Sequence, residues 1–307
     1  MNETEENAKF AIVYLAYGLE STKYQAILSI YTLCHHVKAD IARFRIVIYT
    51  DAERSLFDKH LSGLPVQLEV LTKQQVKEFR GPEDYVFRIK PLILKDYFSK
   101  YNYNVLYCDT DTFYLRNPIK LLESIGPGHS IMNMEEYDFV DAGAVEPVHW
   151  FTLRQALKRY NYQVDGEALS IPISTMMWNA GIMGISRANS RLIDIVIKLN
   201  DDMYKNCHTF IVEQFVASYV LQKFTKLSST EDYIEHYWVK GLKNVFSAEI
   251  PLFLKQQAGT SGQKLYDAAL TFALETREKP HQNAEPLMER ITKRVRLILK
   301  VARQGYI

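Results

Sequence analysis

Residues 10–15 (FAIVYL) are continuously apolar, and residues 45–49 (RIVIY) are nearly so. Short apolar runs bounded by polar loops predict strands buried on both faces. Residues 66–71 and 104–108 (NVLYC) read the same way, and further strand is expected at 130–134. The run 176–185 (MMWNAGIMGI) reads as a strand interrupted by a tight glycine turn. Between these segments the period changes. Ala26, Ile27, Ile30 and Leu33 fall on one helical face across residues 24–33. Helices are also predicted at 56–61, 83–101, 153–160, 191–203 and 211–223. From residue 259 onward the chain reads as mostly helical, broken at Pro280 and Pro286. Strand–helix alternation of this kind predicts an α/β fold with a largely parallel sheet. Ligands in such sheets bind beyond the carboxyl ends of the strands, where Ala16, Tyr17, Asp51 and Asp109 all fall. With no internal repeat or low-complexity linker, the expected division is one domain over 1–258 and a helical C-terminal extension over 259–307.

Composition adds less than pattern. Of 307 residues 47% are apolar, enough for a full core. The net charge of +1 supplies no field that would gather nucleic acid, and no such partner is expected. Charge distribution is more telling. Residues 288–307 hold six Lys/Arg and one acid, a tail of +5 on a remainder of −4. Within it Ile291, Val295, Ile298 and Ala302 recur at helical spacing. A basic amphipathic helix reads either as an anchor on a membrane surface or as a helix packed on the domain. Cys34, Cys108 and Cys207 lack metal-binding spacing, and an odd count without a framework suggests a reducing compartment. No apolar run approaches the roughly 18 residues of a membrane span, and no signal peptide is visible. The expected location is cytoplasmic, peripheral on the inner membrane surface if the tail binds it.

The chemistry concentrates at Asp109-Thr110-Asp111, directly after the apolar strand 104–108. Two carboxylates at that spacing on a turn reach one hard divalent cation, directly or through water. With a diphosphate on the same ion, the metal neutralises charge on the departing group. An acidic triplet alone is a weak signal; its place at a buried strand end strengthens it.

Here the sequence resembles the GT-A glycosyltransferases, in particular the retaining glycogenin-like and bacterial lipooligosaccharide galactosyltransferase group. The matching segments are 105–111 (VLYCDTD), 178–184 (WNAGIMG), 213–215 (EQF) and 236–238 (HYW), in the family's order. The resemblance spans roughly residues 10–245. It implies a Rossmann-like, mostly parallel sheet flanked by helices. It also implies transfer of a sugar from a nucleoside diphosphate sugar, usually a UDP-sugar, to a glycan or glycolipid acceptor. Asp109, Asp111 and His236 would hold Mn2+ or Mg2+, and imidazole beside two carboxylates suits manganese better than calcium. Ala16, Tyr17 and Asp51 would hold the nucleoside, with Thr110 beside the metal ligands. Asn179 and Gly181 would approach the sugar. Gln214 would lie beneath the anomeric carbon and Glu213 would bind sugar hydroxyls. Arg88 and Lys90 are expected at the phosphates or donor sugar. The family's Gly-Lys and Pro-Trp run after the histidine is replaced by residues 239–243 (VKGLK), so either Lys240 or Lys243 is expected at the diphosphate.

The acids Glu135, Glu136, Asp138 and Asp141 read as a solvated loop in preference to an acceptor site. Three rival readings compete. The haloacid-dehalogenase phosphatases share the acidic triplet but want Thr or Val where Phe113 stands. A nucleotidyltransferase would need a Gly-rich basic loop after the first strand, and none is present. A non-catalytic sugar-nucleotide-binding module remains open.

Overall fold

The structure is a computed structural model that describes residues 9–138, 147–171 and 175–279. The chain opens with β1 (Phe10–Ala16), α1 (Glu20–Val37), β2 (Phe44–Thr50), α2 (Arg54–Leu61), β3 (Val66–Val70) and α3 (Lys73–Arg80). α4 (Ile89–Lys100), β4 (Val105–Cys108), β5 (Thr112–Tyr114), α5 (Ile119–Glu123), β6 (His129–Met132) and β7 (Glu135–Asp138) follow. Next come α6 (Pro147–Arg159), the small hairpin β8 (Gln163–Val164) and β9 (Glu167–Ala168), β10 (Met176–Trp178) and β11 (Ile182–Ile185). The last elements are α7 (Arg191–Cys207), α8 (Val212–Phe224), β12 (Lys226–Ser229), β13 (Ile234–His236), α9 (Lys240–Gln256) and α10 (Gly262–Arg277).

Seven strands form the central sheet in the order β12-β6-β11-β4-β1-β2-β3. Only β11 runs against its neighbours, so the sheet is mostly parallel, as the apolar runs predict. Alternate residues feed two cores. Ala11, Val13, Val47, Tyr49, Val105 and Tyr107 face one side. Ile12, Tyr14, Ile46, Ile48, Leu106 and Cys108 face the other. This period of two, with both faces covered by helices, explains why β1, β2 and β4 at the middle of the sheet are almost wholly apolar, unlike the edge strands β3 and β12. The sequence of β1, β2 and β3 proceeds outward in one direction, and β4 returns to the other side of β1. That reversal opens a crevice at the carboxyl ends of β1 and β4, the place where open α/β sheets bind ligands.

Three departures from expectation bear on the site and the core beneath it. The helix expected at 83–101 divides into a short 3-10 turn at Val86–Arg88 and then α4. Pro91 sits in the first turn of α4, where a missing N–H leaves no helical bond unmade. The run 176–185 divides between two sheets: β10 pairs with β7 and β11 joins the central sheet. Asn179-Ala180-Gly181 makes the transfer. Finally, α9 has no counterpart in the pattern, because Gly241 and Pro251 lie inside it. Its buried face, Leu242, Phe246, Ile250, Phe253 and Leu254, belongs to the second core. α10 adds Leu265, Ala269 and Ala273 to the same core. The basic tail at 288–307 lies outside the described residues.

Candidate active site

The acidic turn is tied in place by backbone before any side chain acts. Asp109 N–H donates to Gly181 O at 2.6 Å, joining the end of β4 to the 179–181 turn. β13 pairs antiparallel with β5, with His236 opposite Thr112, and Tyr237 N–H donates to Asp111 O at 3.0 Å. This register carries a histidine 125 residues downstream to the side of Asp111. One ligand atom from each of Asp109, Asp111 and His236 lies within 4.8 Å of the others. His236 Nε2 stands 3.6 Å from Asp111 Oδ1 and 4.0 Å from Asp109 Oδ2.

The orientation of the His236 ring follows from its neighbours. Asn179 donates its amide to Glu136 Oε1 at 2.8 Å, and its oxygen accepts Gly181 N–H at 2.9 Å. Those two bonds orient the amide, so Asn179 Oδ1 meets His236 Nδ1 at 3.0 Å, with the Asn133 amide at 3.4 Å from the same nitrogen. Nε2 is therefore the ring nitrogen that faces the two carboxylates. The two carboxylates repel one another, and a divalent cation would remove that repulsion. Two carboxylates and one imidazole form a donor set that fits a divalent cation. The turn also requires Gly181: a Cβ there would lie 2.0 Å from His236 Cε1.

Asp111 is buried, and desolvation pushes its pKa up. His236 and Lys243 outweigh that and hold it well below the usual carboxylate range. Lys243 Nζ lies 2.6 Å from Asp111 Oδ2. Across the cleft, Lys90 is buried at the start of α4. Its ammonium donates to Ala180 O at 3.0 Å and stands 3.4 Å from Asp109 and 3.6 Å from Glu213. Burial lowers the Lys90 pKa, but Asp109 and Glu213 together raise it above the ordinary value. Glu213, in the first turn of α8, shares that one cation with Asp109. Burial pushes it up to about 7, against the pull of Lys90. Gln214 donates to Glu136 Oε2 at 2.7 Å. These groups, with Phe87, Tyr137, Phe210 and Trp238, line a cleft of about 350 Å³.

The structure brings together Asp109, Asp111, Asn179, Gly181, Glu213, Gln214, His236, Lys90 and Lys243. Other expected residues lie elsewhere. Arg88 is held by Asp201 in a two-pronged pair, 2.6 and 2.9 Å, and does not line the cleft. Its guanidinium fork matches a carboxylate that the sequence leaves 113 residues away. Thr110 turns its hydroxyl to Gln25 Oε1 at 3.3 Å, inside the protein. Of the two lysines, Lys243 reaches Asp111, while Lys240 is exposed at the first position of α9 and outside the cleft lining. Ala16 is buried, its carbonyl accepting from the Thr50 hydroxyl at 2.8 Å, and Tyr17 is half-buried. Asp51 forms a clip at the same sheet edge. It accepts Gly18 N–H at 3.3 Å and pairs with Lys23 Nζ at 2.8 Å. Gly18 holds φ +83°, the left-handed region that favours glycine.

One site residue runs against the reading of 135–141 as solvated loop. Glu136 is on β7 and bridges Asn179 and Gln214. The alternation of β7 was the only available signal, and a run of four residues is too short to carry it. Asp141 lies outside the described residues.

No family model matches the chain, and no curated protein sequence does. Solved structures do match. The galactosyltransferase LgtC, in a complex with donor and acceptor sugar analogues, has a TM-score of 0.50 at 12% identity. The match covers 72% of this chain and 74% of LgtC. The apo-form glycosyltransferase GlyE of Streptococcus pneumoniae TIGR4 has a TM-score of 0.49 at 11% identity. It covers 90% of this chain and 66% of GlyE, slightly under two thirds. The likeness to LgtC establishes the fold: a GT-A-type α/β sheet flanked by helices.

Proposed function

We propose that this protein is a divalent-metal-dependent glycosyltransferase. It would move a sugar from a nucleoside diphosphate sugar, UDP-sugars foremost, to a glycan or glycolipid acceptor. The observation that carries the reading is the convergence of Asp109, Asp111 and His236 Nε2 on one point. These three residues would hold Mn2+ or Mg2+, and the ion, when bound, supplies Lewis-acid stabilisation of the departing diphosphate.

The chain's own residues supply the remaining functions. Lys243 keeps Asp111 ionised and has further N–H donors for a phosphate oxygen. Lys90 holds its charge between two acids and places it against the Ala180 carbonyl. Ala16, Tyr17 and Asp51 would meet the nucleoside at the adjoining strand ends. Glu213 and Asn179 would bind sugar hydroxyls. Gln214, its amide fixed by Glu136, would lie beneath the anomeric carbon. On the family resemblance, transfer would proceed on the same face, with a donor phosphate oxygen taking the acceptor proton and the anomeric configuration retained. The transition state then has oxocarbenium character, as in glycosidases.

Release of nucleoside diphosphate from UDP-, GDP- and ADP-sugars, with Mn2+ or with EDTA, tests the reading. Metal-dependent release from at least one donor is expected; no release from any would overturn it. NMR of the first-formed product tests retention, and a configuration opposite to the donor's would end that part. No helix among the described residues is long and apolar enough to cross a membrane. Location on the inner membrane surface rests on the basic sequence of residues 288–307. Liposome sedimentation of the full chain against one stopped at Pro286 tests it, with weaker binding expected for the shorter chain.

A further inference from the structure

The cleft is lined by charged groups and by exposed aromatic rings. Lys90, Asp111 and Glu213 are buried in it, the Lys243 side chain is 41% exposed, and Phe87, Phe210 and Trp238 share the lining. These three are 42%, 43% and 40% exposed, among the most exposed large apolar side chains described. A single exposed aromatic is ordinary. Three from separate parts of the chain around one cleft mark a surface that contacts something.

Their placement is built. The Phe87 and Phe210 rings lie 6.4 Å apart at 40°. The His149 ring meets Phe210 edge-on at 4.3 Å. The Tyr85 hydroxyl donates to Phe210 O at 2.8 Å and accepts Glu213 N–H at 3.2 Å, so one tyrosine positions both Phe210 and Glu213. Tyr85 is itself stacked on Tyr204 at 3.7 Å. Trp238 lies 5.0 Å from the His236 ring.

We propose that Phe87 and Phe210 form the platform on which a pyranose ring of the acceptor stacks. The proposal rests on the transferase reading above. A pyranose presents hydroxyls at its edge and a face of C–H groups, and that face matches the negative face of an aromatic ring. The charged diphosphate is drawn instead to the ammonium groups of Lys90 and Lys243, which the phenylalanine pair does not offer. An extended lipid tail or a protein segment would need a longer apolar groove than a few rings around about 350 Å³. The phenylalanine pair therefore reads the acceptor by its ring, while the charged groups handle the donor.

Saturation-transfer NMR with methyl β-D-glucopyranoside, methyl β-D-galactopyranoside and lactose tests this, with Mn2+ and UDP, GDP or ADP present. Saturation is expected to pass from the protein to the C–H face of at least one glycoside. Phe87→Ala and Phe210→Ala should weaken that glycoside about tenfold. Phe210→Trp should keep the contact, and Phe210→Leu should lose it despite its apolar bulk. Unchanged binding in both alanine variants, full binding by Phe210→Leu, or no transfer to any glycoside in the wild type would overturn the platform. Thermal stabilisation by nucleoside diphosphate and Mn2+ is measured on the same samples. If it is present while glycoside contact is absent, only the platform falls. If no nucleoside diphosphate stabilises the protein, the transferase reading falls with it. Equal melting temperatures across the variants exclude unfolding as the cause.

Discussion

The cleft holds two buried carboxylates with opposite fates. Asp111 is held ionised well below the ordinary carboxylate range, while Glu213 is pushed up to about 7. Both are buried, so desolvation pushes both upward. The partners decide the difference. Asp111 has its own ammonium, Lys243 at 2.6 Å, and faces the His236 ring. Glu213 has a half-share of Lys90 at 3.6 Å, because Asp109 competes for the same cation. One pole of the cleft therefore keeps charge ready for a metal ion, and the other keeps a proton near neutrality. The lesson is that depth of burial sets the cost of charge, and the number of cations per acid sets whether it is carried.

The largest expected effect comes from removing the charge at the first pole. Asp109→Asn and Asp111→Asn each take a carboxylate from the three-ligand set. Metal-dependent release of nucleoside diphosphate should fall about 1,000-fold or more, while the circular dichroism spectrum stays native. Near-normal turnover in both variants would break the comparison at its root. Glu213→Gln addresses the second pole. In the folded protein Glu213 keeps its proton up to about 7, whereas in the unfolded chain it ionises near 4.5. Between those values the unfolded state binds fewer protons, so this group makes stability fall as pH rises, by about 3 kcal/mol at most. Glutamine cannot ionise, so the difference in metal-free urea stability between pH 5 and pH 7.5 should shrink by up to that amount. An unchanged pH slope would contradict a protonated Glu213. Glu136 joins the two poles, since it holds both Asn179 and Gln214. Glu136→Gln leaves one of those bonds donor against donor. A loss of about tenfold in kcat, with Mn2+ affinity reduced by a smaller factor, is expected from kinetics and metal titration. An effect on metal alone would mean that Gln214 does not depend on Glu136.

The two poles also differ in how legible they were. Asp109 and Asp111 stand beside each other after an apolar strand, so the pattern and the chemistry coincide in one short segment. His236 was reached through the motif order, and the β5–β13 register supplies the physical reason it belongs there. The second pole has no such local signature. Lys90 and Arg88 look alike in sequence, yet one is buried in the cleft and the other pairs with Asp201. Glu136 read as one more acid in a polar run because its partners lie 43 and 78 residues away. α9 escaped notice because glycine and proline inside it outweigh a buried face seen only after packing.

The sequence by itself determined the parallel sheet, its two covered faces and the strand end that carries the acidic pair. Those follow from local periodicity, which reports what each segment must bury. Only the tertiary structure decided which of Lys240 and Lys243 meets Asp111, that Gly181 leaves room for the His236 ring, and that Asp109 and Glu213 share one ammonium. These outcomes depend on distances between segments far apart in the chain. A carboxylate's charge state and a histidine ring's orientation are set by whatever stands a few ångströms away, and local pattern carries no record of that.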